Sequence, residues 1–254
     1  MWTGDYGFLL QNLVLKDFRV RYRNMSLGVL WSLVNPIVMM GLLTFVFTRI
    51  FPNPTTQSFP IFVLCGLIPF NFFSLAWSSA TPSLIENAIL VKKVMAPREI
   101  VPLAAVLSNC LHFGIQLLLL LVFVLASGGR VTAHWLWLPV VCGLEVVFVC
   151  GLALASSALD VYIRDTRYVV DSANTVLFWL VPIFYSLSFV PGELRELYLL
   201  NPLAAVVLAL RSILLDSASP PGGLLVRLLV VSLLSLLIGR VVFQRLEHGF
   251  HDRL

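Results

Sequence analysis

Ionisable side chains inside apolar stretches are the first candidates for chemistry, because hydrocarbon tolerates charge only where it has a use or a partner. Two lie well within such stretches, His112 and Glu145. Glu145 stands between Leu144 and Val146, so it is expected to face the protein interior or a water-filled cavity. It either lines a pathway or a contact between two copies of the chain, or it joins helices as a protonated, hydrogen-bonded group. A proton relay needs several such groups, so one carboxylate at this depth argues against proton-driven transport.

Motifs for nucleotide hydrolysis and metal catalysis are absent from the sequence. The phosphate-binding pattern G-x-x-x-x-G-K-[ST] does not occur. No H-E-x-x-H motif or C-x-x-C pair occurs, and the histidines have no carboxylate at metal-ligand spacing. We therefore predict that the chain is not an enzyme, that it binds no metal and no cofactor, and that it hydrolyses no ATP when isolated.

Aromatic rings offer a different kind of contact, because they stack on the apolar C–H faces of sugars. Phe70, Phe73 and Trp77 share one helical face at i, i+3 and i+7, whereas Phe72 points about 100° away from Phe73. A second cluster contains Trp179, Phe184 and Tyr185. The rings are either a track for a sugar chain or ordinary packing and lipid-facing residues. A track predicts that alanine at Phe73 or Tyr185 reduces transport more than alanine at Phe72.

The composition requires that these residues be positioned in a membrane. Of the 254 residues, 59% are hydrophobic and 12% are charged, and the mean hydropathy is +0.94. A soluble globular protein carries about 25% charged residues, and disorder needs low hydrophobicity with high net charge. Both classes are excluded. The net charge of +4 is attributed to basic loops beside the membrane, so no nucleic-acid partner is expected.

Six stretches are long and apolar enough to cross about 30 Å of hydrocarbon as helices. They cover residues 29–50, 61–80, 101–126, 135–159, 170–190 and 224–243. The segments 1–28, 83–100, 160–169 and 239–254 hold twelve of the 17 Lys and Arg residues. Positive charge is retained on the cytoplasmic side of membranes. The sequence therefore predicts an all-α integral membrane protein with six transmembrane helices and both termini in the cytoplasm.

Two polar segments on the predicted cytoplasmic side are more than turns. Residues 5–27 predict an amphipathic interfacial helix, with its polar and basic side chains within a sector of about 60°. Those side chains are Asn12, Lys16, Arg19 and Arg23. The loop 83–99 contains a short amphipathic helix before Pro97, and this loop either docks a partner or lies on lipid headgroups.

The segment 191–223 on the opposite side contains an apolar run too short for a full span. The run extends from Leu203 to Leu215, after Asn201-Pro202 and before the sequence PPGG at 220–223. A short apolar run between such breakers is typical of a re-entrant or interfacial helix. We predict short re-entrant outer helices between spans five and six.

Several stretches, in this order along the chain, resemble one family, the ABC-2 type exporter permeases. Residues 21–31 (RYRNMSLGVLW), followed by Asn35-Pro36, are similar to the entry to that family's first span. Residues 87–102 resemble its loop between spans two and three, and residues 162–165 (YIRD) resemble its R-D element after span four. Asn201-Pro202-Leu203 and Arg211 match its outer segment. The most similar branch exports polysaccharides and polyol phosphates, as the O-antigen, capsule and teichoic acid permeases do.

The resemblance implies a single transmembrane domain over residues 1–254. Its parts are an interface helix at 1–28, spans one to five at 29–190, an outer gate segment at 191–223, and span six with a cytoplasmic tail at 224–254. The resemblance also implies that two copies of the chain form one channel in a homodimer. Two copies of a separate ATPase subunit, which binds ATP and Mg, would pair with this homodimer.

The same resemblance assigns roles to three groups of residues. The residues expected to couple to the ATPase are Glu86, Asn87, Ile89, Lys92, Lys93, Arg98, Arg164 and Asp165. Those of the interface helix are Lys16, Arg19, Arg21, Tyr22 and Arg23. The candidates for the glycan pathway are Phe70, Phe73, Trp77, Glu145, Trp179, Phe184 and Tyr185.

We therefore expect the channel-forming subunit of an ATP-driven exporter of lipid-linked polysaccharide, embedded in the inner (plasma) membrane of a bacterium among its lipids. Two alternatives stay open, an ABC-2 permease for a small lipid or drug and a membrane-embedded lipid-linked sugar transferase. An enzyme would need clustered carboxylates or basic residues at one membrane face, and the sequence shows no such cluster.

Overall fold

The computed structural model describes residues 6–23, 28–50, 58–93 and 97–253. For Lys93, Leu194, Glu196, Leu197, His251 and Asp252 it describes the backbone alone. This part of the chain is helical and contains no β-strand. The first six helices are α1 (Tyr6–Tyr22), α2 (Trp31–Phe45), α3 (Phe59–Ala80), α4 (Ser83–Glu86), α5 (Ala88–Lys93) and α6 (Ile100–Ala126). The other six are α7 (Leu138–Tyr162), α8 (Thr166–Leu180), α9 (Gly192–Leu200), α10 (Pro202–Leu214), α11 (Gly222–Glu247) and α12 (Phe250–Arg253).

Five continuous helical stretches among the described residues are long and apolar enough to cross a membrane. They are Gly28–Ile50, Phe59–Ala80, Ile100–Ala126, Ala133–Tyr162 and Gly222–Glu247. Each matches one of the six predicted spans. An all-α membrane protein is thus confirmed, whereas the count of six spans is not.

The remaining predicted span, 170–190, is not one helix. α8 ends at Leu180 after 15 residues, and Val181 adopts an extended conformation with ψ of 135°. The reason is Pro182, which lacks an amide hydrogen and disfavours helical geometry in the residue before it. The chain then continues through a single 3₁₀ turn, Leu187–Phe189, to α9. A helix of this length is shorter than the roughly 20 residues that a full crossing needs.

The two polar segments of the predicted cytoplasmic side form helices close to their expected positions. α1 covers the described part of the predicted interface helix and packs against α6, with Leu13 as its buried residue. Residues 1–5 and 24–27 of that prediction lie outside the described residues. The loop 83–99 forms the short helices α4 and α5, and Leu84 packs in an apolar cluster with Phe243 and Phe250.

The predicted outer helix is present as α10. The side chain of Asn201 accepts a hydrogen bond from the Leu203 amide at 3.0 Å, and Pro202 occupies the first turn. Both are the preferred residues for a helix start, because the amides of the first turn lack helical partners. Most side chains of α10 are buried. Whether this helix re-enters the membrane stays a prediction.

Arg211 attaches α10 to two other parts of the chain. Its Nη2 atom donates to the carbonyl of Ile183 at 2.8 Å and to the carbonyl of Phe62 at 3.2 Å. The guanidinium also lies 3.4 Å from the centre of the Phe62 ring. Ile183 belongs to the break after α8, where backbone carbonyls have lost their helical partners. The side chain of Arg211 therefore supplies a hydrogen bond that the broken helix requires.

The closest helix packing joins α7 and α11. A Cβ atom on Gly151 would meet the backbone of Ser235, and a Cβ atom on Gly239 would meet the backbone of Gly151. The Ser235 hydroxyl donates to the Phe148 carbonyl at 2.9 Å. Small residues that let two backbones touch are the usual basis of helix association in membranes.

This contact generates a test of the fold. Gly151→Val is expected to lower the free energy of unfolding by at least about 1–3 kcal/mol, because the added atoms force the two backbones apart. Gly143→Val on the same helix is the matched control, since a Cβ there has nothing within 4 Å. Thermal unfolding of the purified protein in detergent measures both. Equal stability of the two variants would contradict the packing of α7 on α11.

Candidate functional site

A polar cavity of about 480 Å³ lies among α1, α2, α3 and α6. Its lining residues are Arg21, Tyr22, Trp31, Ser32, Asn35, Asn71, Ser74, Leu75, His112 and Gln116. Apart from Leu75, each of these side chains carries a polar atom. Polar groups at membrane depth persist only where protein or a water-filled space covers them. The cavity is therefore the leading candidate for a functional site among the described residues.

Helical spacing brings these polar groups to one place. Asn71 and Ser74 are three residues apart on α3, and His112 and Gln116 are four residues apart on α6. Each pair therefore lies on one face of its helix. The Gln116 amide donates to the Ser32 carbonyl at 2.9 Å, and this bond ties α6 to the start of α2.

The last turn of α1 closes one wall of the cavity through two side-chain contacts with α6. Arg21 Nη1 donates to Asn109 Oδ1 at 2.7 Å, and Tyr22 Oη lies 2.5 Å from His112 Nδ1. The ring of Phe18 stacks on His112 at a centroid distance of 5.2 Å. These contacts join the interface helix to a membrane-spanning helix, so a displacement of α1 would change the cavity.

Partial burial changes the electrostatics of this end of α1. Burial lowers the pKa of the Arg21 guanidinium and raises the pKa of the Tyr22 hydroxyl. Arginine stays charged in proteins even so. Burial likewise raises the pKa of Asp17, one turn earlier on the helix. The cavity therefore has a permanent positive charge in its wall, and none of its lining residues is a carboxylate.

The predicted glycan-pathway residues lie elsewhere, and most of them are packed inside the subunit. Phe70, Phe73, Phe184 and Glu145 are buried, and the three phenylalanines belong to the main apolar cluster. Trp77 is half-buried, and its indole donates to the Ser156 hydroxyl at 3.2 Å. None of these five residues lines the polar cavity.

Phe72 and Phe73 point in different directions, as predicted, and they pack against different residues. Phe73 packs against Trp77 and Phe148, with ring centroids at 5.4 and 6.1 Å. Phe72 points toward α6 and stacks on Phe113 at 4.6 Å. Both rings are nevertheless buried, so both contribute to packing.

The second aromatic cluster is more open. The side chain of Trp179 is 63% exposed at the end of α8. The Tyr185 hydroxyl donates to the Trp179 carbonyl at 3.0 Å and lies 2.9 Å from the Tyr198 hydroxyl. Of all the predicted pathway residues, Trp179 offers the most accessible ring.

Glu145 is fully buried, as its position between apolar residues predicted. Neither carboxylate oxygen has a hydrogen-bond partner in the described part of the chain. Its role, whether in a pathway, between copies of the chain or between helices, stays a prediction.

The residues predicted to couple to an ATPase form two groups. Glu86, Ile89, Lys92, Arg164 and Asp165 are exposed, and Ile89 has the largest exposed fraction of these, at 73%. The side chain of Lys93 lies outside the described residues.

The other two residues of this set make contacts within the subunit. Asn87 Oδ1 accepts a hydrogen bond from Lys16 Nζ at 2.9 Å, which connects the loop 83–99 to α1. Arg98 Nη1 donates to the Glu247 carbonyl at 2.8 Å. Of the interface-helix residues, Lys16, Arg19 and Arg23 are exposed.

The uncharged polar residues that line the cavity were not identified from the sequence. Asn35, Asn71, Ser74 and Gln116 carry no charge, and a search for ionisable groups within spans passes over them. The signal that could have found them is the i, i+3 and i, i+4 spacing of amides and hydroxyls within apolar helices. That spacing shows a shared face, whereas the meeting of four helices is visible only in three dimensions.

Comparison with known proteins gives consistent results over most of the chain. A family model described as ABC-2 type transporter matches residues 9–215. The O-antigen export system permease protein RfbA of Klebsiella pneumoniae is 27% identical over 254 residues, which cover 98% of this chain and 97% of the relative. The protein of the same name from Myxococcus xanthus is 29% identical, covering 98% and 96%. The polysialic acid transport protein KpsM of Escherichia coli is 24% identical, covering 94% of each chain.

The burial of the aromatic rings generates a prediction about stability. Phe72→Ala and Phe73→Ala are each expected to lower the free energy of unfolding by about 3–5 kcal/mol, because both leave a cavity in the apolar core. Phe45→Ala is the control, since that ring is 59% exposed, and its expected effect is within about 0.5 kcal/mol. Thermal unfolding in detergent compares the three variants. A stable Phe72→Ala protein would show that this ring is not part of the core packing.

Proposed function

The chain belongs to the ABC-2 type transporter family, and on that premise we propose that it is the channel-forming permease subunit of an ATP-driven exporter of lipid-linked polysaccharide. The observation that carries this proposal is the match along nearly the whole chain to permeases named for O-antigen export. The relative named for polysialic acid transport supports the same substrate class, since polysialic acid is also a polysaccharide. The family assignment also disfavours a sugar transferase.

Energy for export is assigned to a separate subunit. The sequence carries no phosphate-binding motif, and we assign ATP and Mg to an ABC ATPase partner. Two copies of the chain would form the channel, and two copies of the ATPase would pair with them. The excess of basic residues in four segments supports placing both termini in the cytoplasm and the chain in the inner membrane of a bacterium.

The exposed residues of the loop 83–99 and of the R-D element are the proposed docking surface for the ATPase. Ile89 is an apolar side chain that is largely exposed, and Glu86 and Lys92 are exposed on the same loop. An exposed apolar residue among charges is typical of a protein interface. Docking would cover Ile89 and fix the position of the loop.

The hydrogen bond from Lys16 to Asn87 connects the proposed docking surface to the cavity. Asn87 lies on the loop, and Lys16 lies on α1, whose last turn forms a wall of the cavity. Movement of the loop would displace α1 along with it. ATP-driven motion of the partner would then open or close the cavity without a change in any covalent bond.

The chemistry of the cavity suits a sugar chain that must keep moving. Amides and hydroxyls exchange hydrogen bonds with sugar hydroxyls, and each such bond contributes only about 0.5–1.5 kcal/mol net. Transport requires contacts weak enough to release, as in ion channels. We place the glycan path along the polar cavity and, toward the outer side, past the exposed ring of Trp179.

Export itself can be tested in the bacterium that carries the gene. Deletion of the gene is expected to remove polysaccharide from the cell surface and to leave lipid-linked chains inside the cell. Expression of the wild-type chain from a plasmid should restore the surface material. The measurement is surface polysaccharide by antibody or lectin binding. Normal surface polysaccharide in the deletion strain would contradict the proposed substrate.

A second test addresses the docking surface. Ile89→Asp is expected to reduce recovery of the ATPase with the permease, and to reduce export at least tenfold, because a charge replaces an apolar contact at the interface. Val131→Asp is the control, since Val131 is 68% exposed in the loop after α6, on the opposite side of the predicted membrane. Co-purification and surface polysaccharide are measured at equal expression. An Ile89→Asp variant that binds the ATPase and exports normally would reject the coupling role.

A further inference from the structure

The lining of the polar cavity carries a positive charge and no negative one. The charge of Asp17, one turn earlier on α1, acts on Arg21 but lies outside this lining. Arg21 is half-buried in the cavity wall, and the side-chain acceptor of its guanidinium is the neutral amide of Asn109. Within the described part of the chain, no carboxylate oxygen lies within 4.0 Å of a guanidinium nitrogen of Arg21. A partly desolvated cation costs free energy unless an anion or ordered water compensates for the lost hydration.

The same cavity contains a buried ring nitrogen that is not satisfied. His112 is 3% exposed, and Nδ1 is engaged by the Tyr22 hydroxyl. Nε2 has no hydrogen-bond partner among the described residues. When Tyr22 donates to Nδ1, the imidazole proton lies on Nε2, which makes Nε2 a donor without an acceptor. Buried donors of this kind are rare in proteins, and a water or an ion is one of the acceptors that can complete them.

The acidic residues nearby belong to a different space. Asp17 and Glu86 line a neighbouring cavity of about 260 Å³, and Arg21 stands between the two cavities. An anion in that neighbouring cavity would be repelled by both carboxylates, whereas the 480 Å³ cavity has none in its lining. The larger cavity is therefore the side on which Arg21 can meet an anion.

The other lining groups define the rest of the ligand. Asn35, Asn71, Ser74 and Gln116 offer amides and hydroxyls, which are matched by a molecule rich in hydroxyl groups. A volume of about 480 Å³ lies in the range of small-molecule sites, about 300–1,000 Å³. The space is larger than a single inorganic anion requires.

We propose that this cavity binds the anionic group of a sugar-bearing ligand, a phosphate or a carboxylate, with Arg21 as its cation and His112 as a second donor. The inference rests on the proposed function and deepens it, because it assigns a charge-recognition site to the transported molecule. Arg21 would select a charged ligand at the cavity, while the neutral groups would contact sugar hydroxyls.

The test uses the full chain in phosphatidylcholine nanodiscs, with glucose 1-phosphate as the probe and glucose as its uncharged counterpart. The wild-type protein is expected to bind glucose 1-phosphate at least about tenfold more tightly than glucose, and the binding should weaken as salt is raised. Calorimetry measures both affinities. Equal affinity for the two sugars, or no binding of glucose 1-phosphate, would overturn the proposal.

Two variants of equal charge separate the site from general attraction. Arg21→Gln is expected to weaken glucose 1-phosphate binding at least about tenfold, and Arg19→Gln, which removes an exposed charge from the same helix, should leave it unchanged. Arg21→Lys retains the charge and should keep measurable binding, provided that thermal unfolding shows the variant folded. Arg21→Gln protein that binds like wild type would overturn the assignment to Arg21.

A last comparison identifies the source of the anion. Phosphatidic acid added to the nanodiscs either competes with glucose 1-phosphate, which assigns the site to a lipid phosphate, or does not, which assigns it to the sugar's own acid. The outcome is independent of the export test. A strain that exports polysaccharide normally, with a protein that binds no glucose 1-phosphate, would reject the anion site and leave the transport function standing.

Discussion

Hydrocarbon offers no hydrogen bonds, and this constraint determines where each polar group of the chain lies. Long helices satisfy the backbone through most of the apolar sequence. Where a helix breaks, a side chain supplies the missing hydrogen bond. Arg211 donates to the carbonyl of Ile183, and Asn201 accepts from an amide in the first turn of α10. Some polar side chains within the spans, among them Asn109, His112 and Gln116, are buried among other parts of the chain for the same reason. The polar cavity is one result of this rule.

α1 is the element that connects the two surfaces of functional interest. It lies beside the membrane-spanning helices, and its side chains contact the loop 83–99 through Lys16 and α6 through Arg21 and Tyr22. A helix with this position needs both charge and apolar area, since one side meets water and the other meets packed side chains. Its sequence supplies both, with Lys16 and Arg19 outward and Leu13 inward. The loop 83–99 and the polar cavity are therefore connected through the side chains of one helix.

Long apolar segments and helix starts could be read from the sequence, and contacts between helices could not. Five spans, α1 and α10 occur near their predicted positions, because hydrophobic length, periodicity and Asn-Pro starts are local properties. The stretch 170–190 is long and mostly apolar, which predicted a full span, yet the helix ends at Leu180, two residues before Pro182. The burial of Phe70 and Phe73 and the meeting of neutral amides around Arg21 depend on neighbours distant in sequence, which helical periodicity does not identify.

The glycine contact between α7 and α11 has a mechanical consequence. Two helices whose backbones touch cannot slide or separate without losing most of their packing, so α7 and α11 are expected to move as one unit. α2 differs, because most of its side chains are not buried and it ends in the π-helical turn Val46–Ile50. A large transported molecule would therefore displace α2 and the preceding helix α1 more readily than α7 and α11. The α7–α11 pair would keep its geometry during each transport cycle, and the other helices would move relative to it.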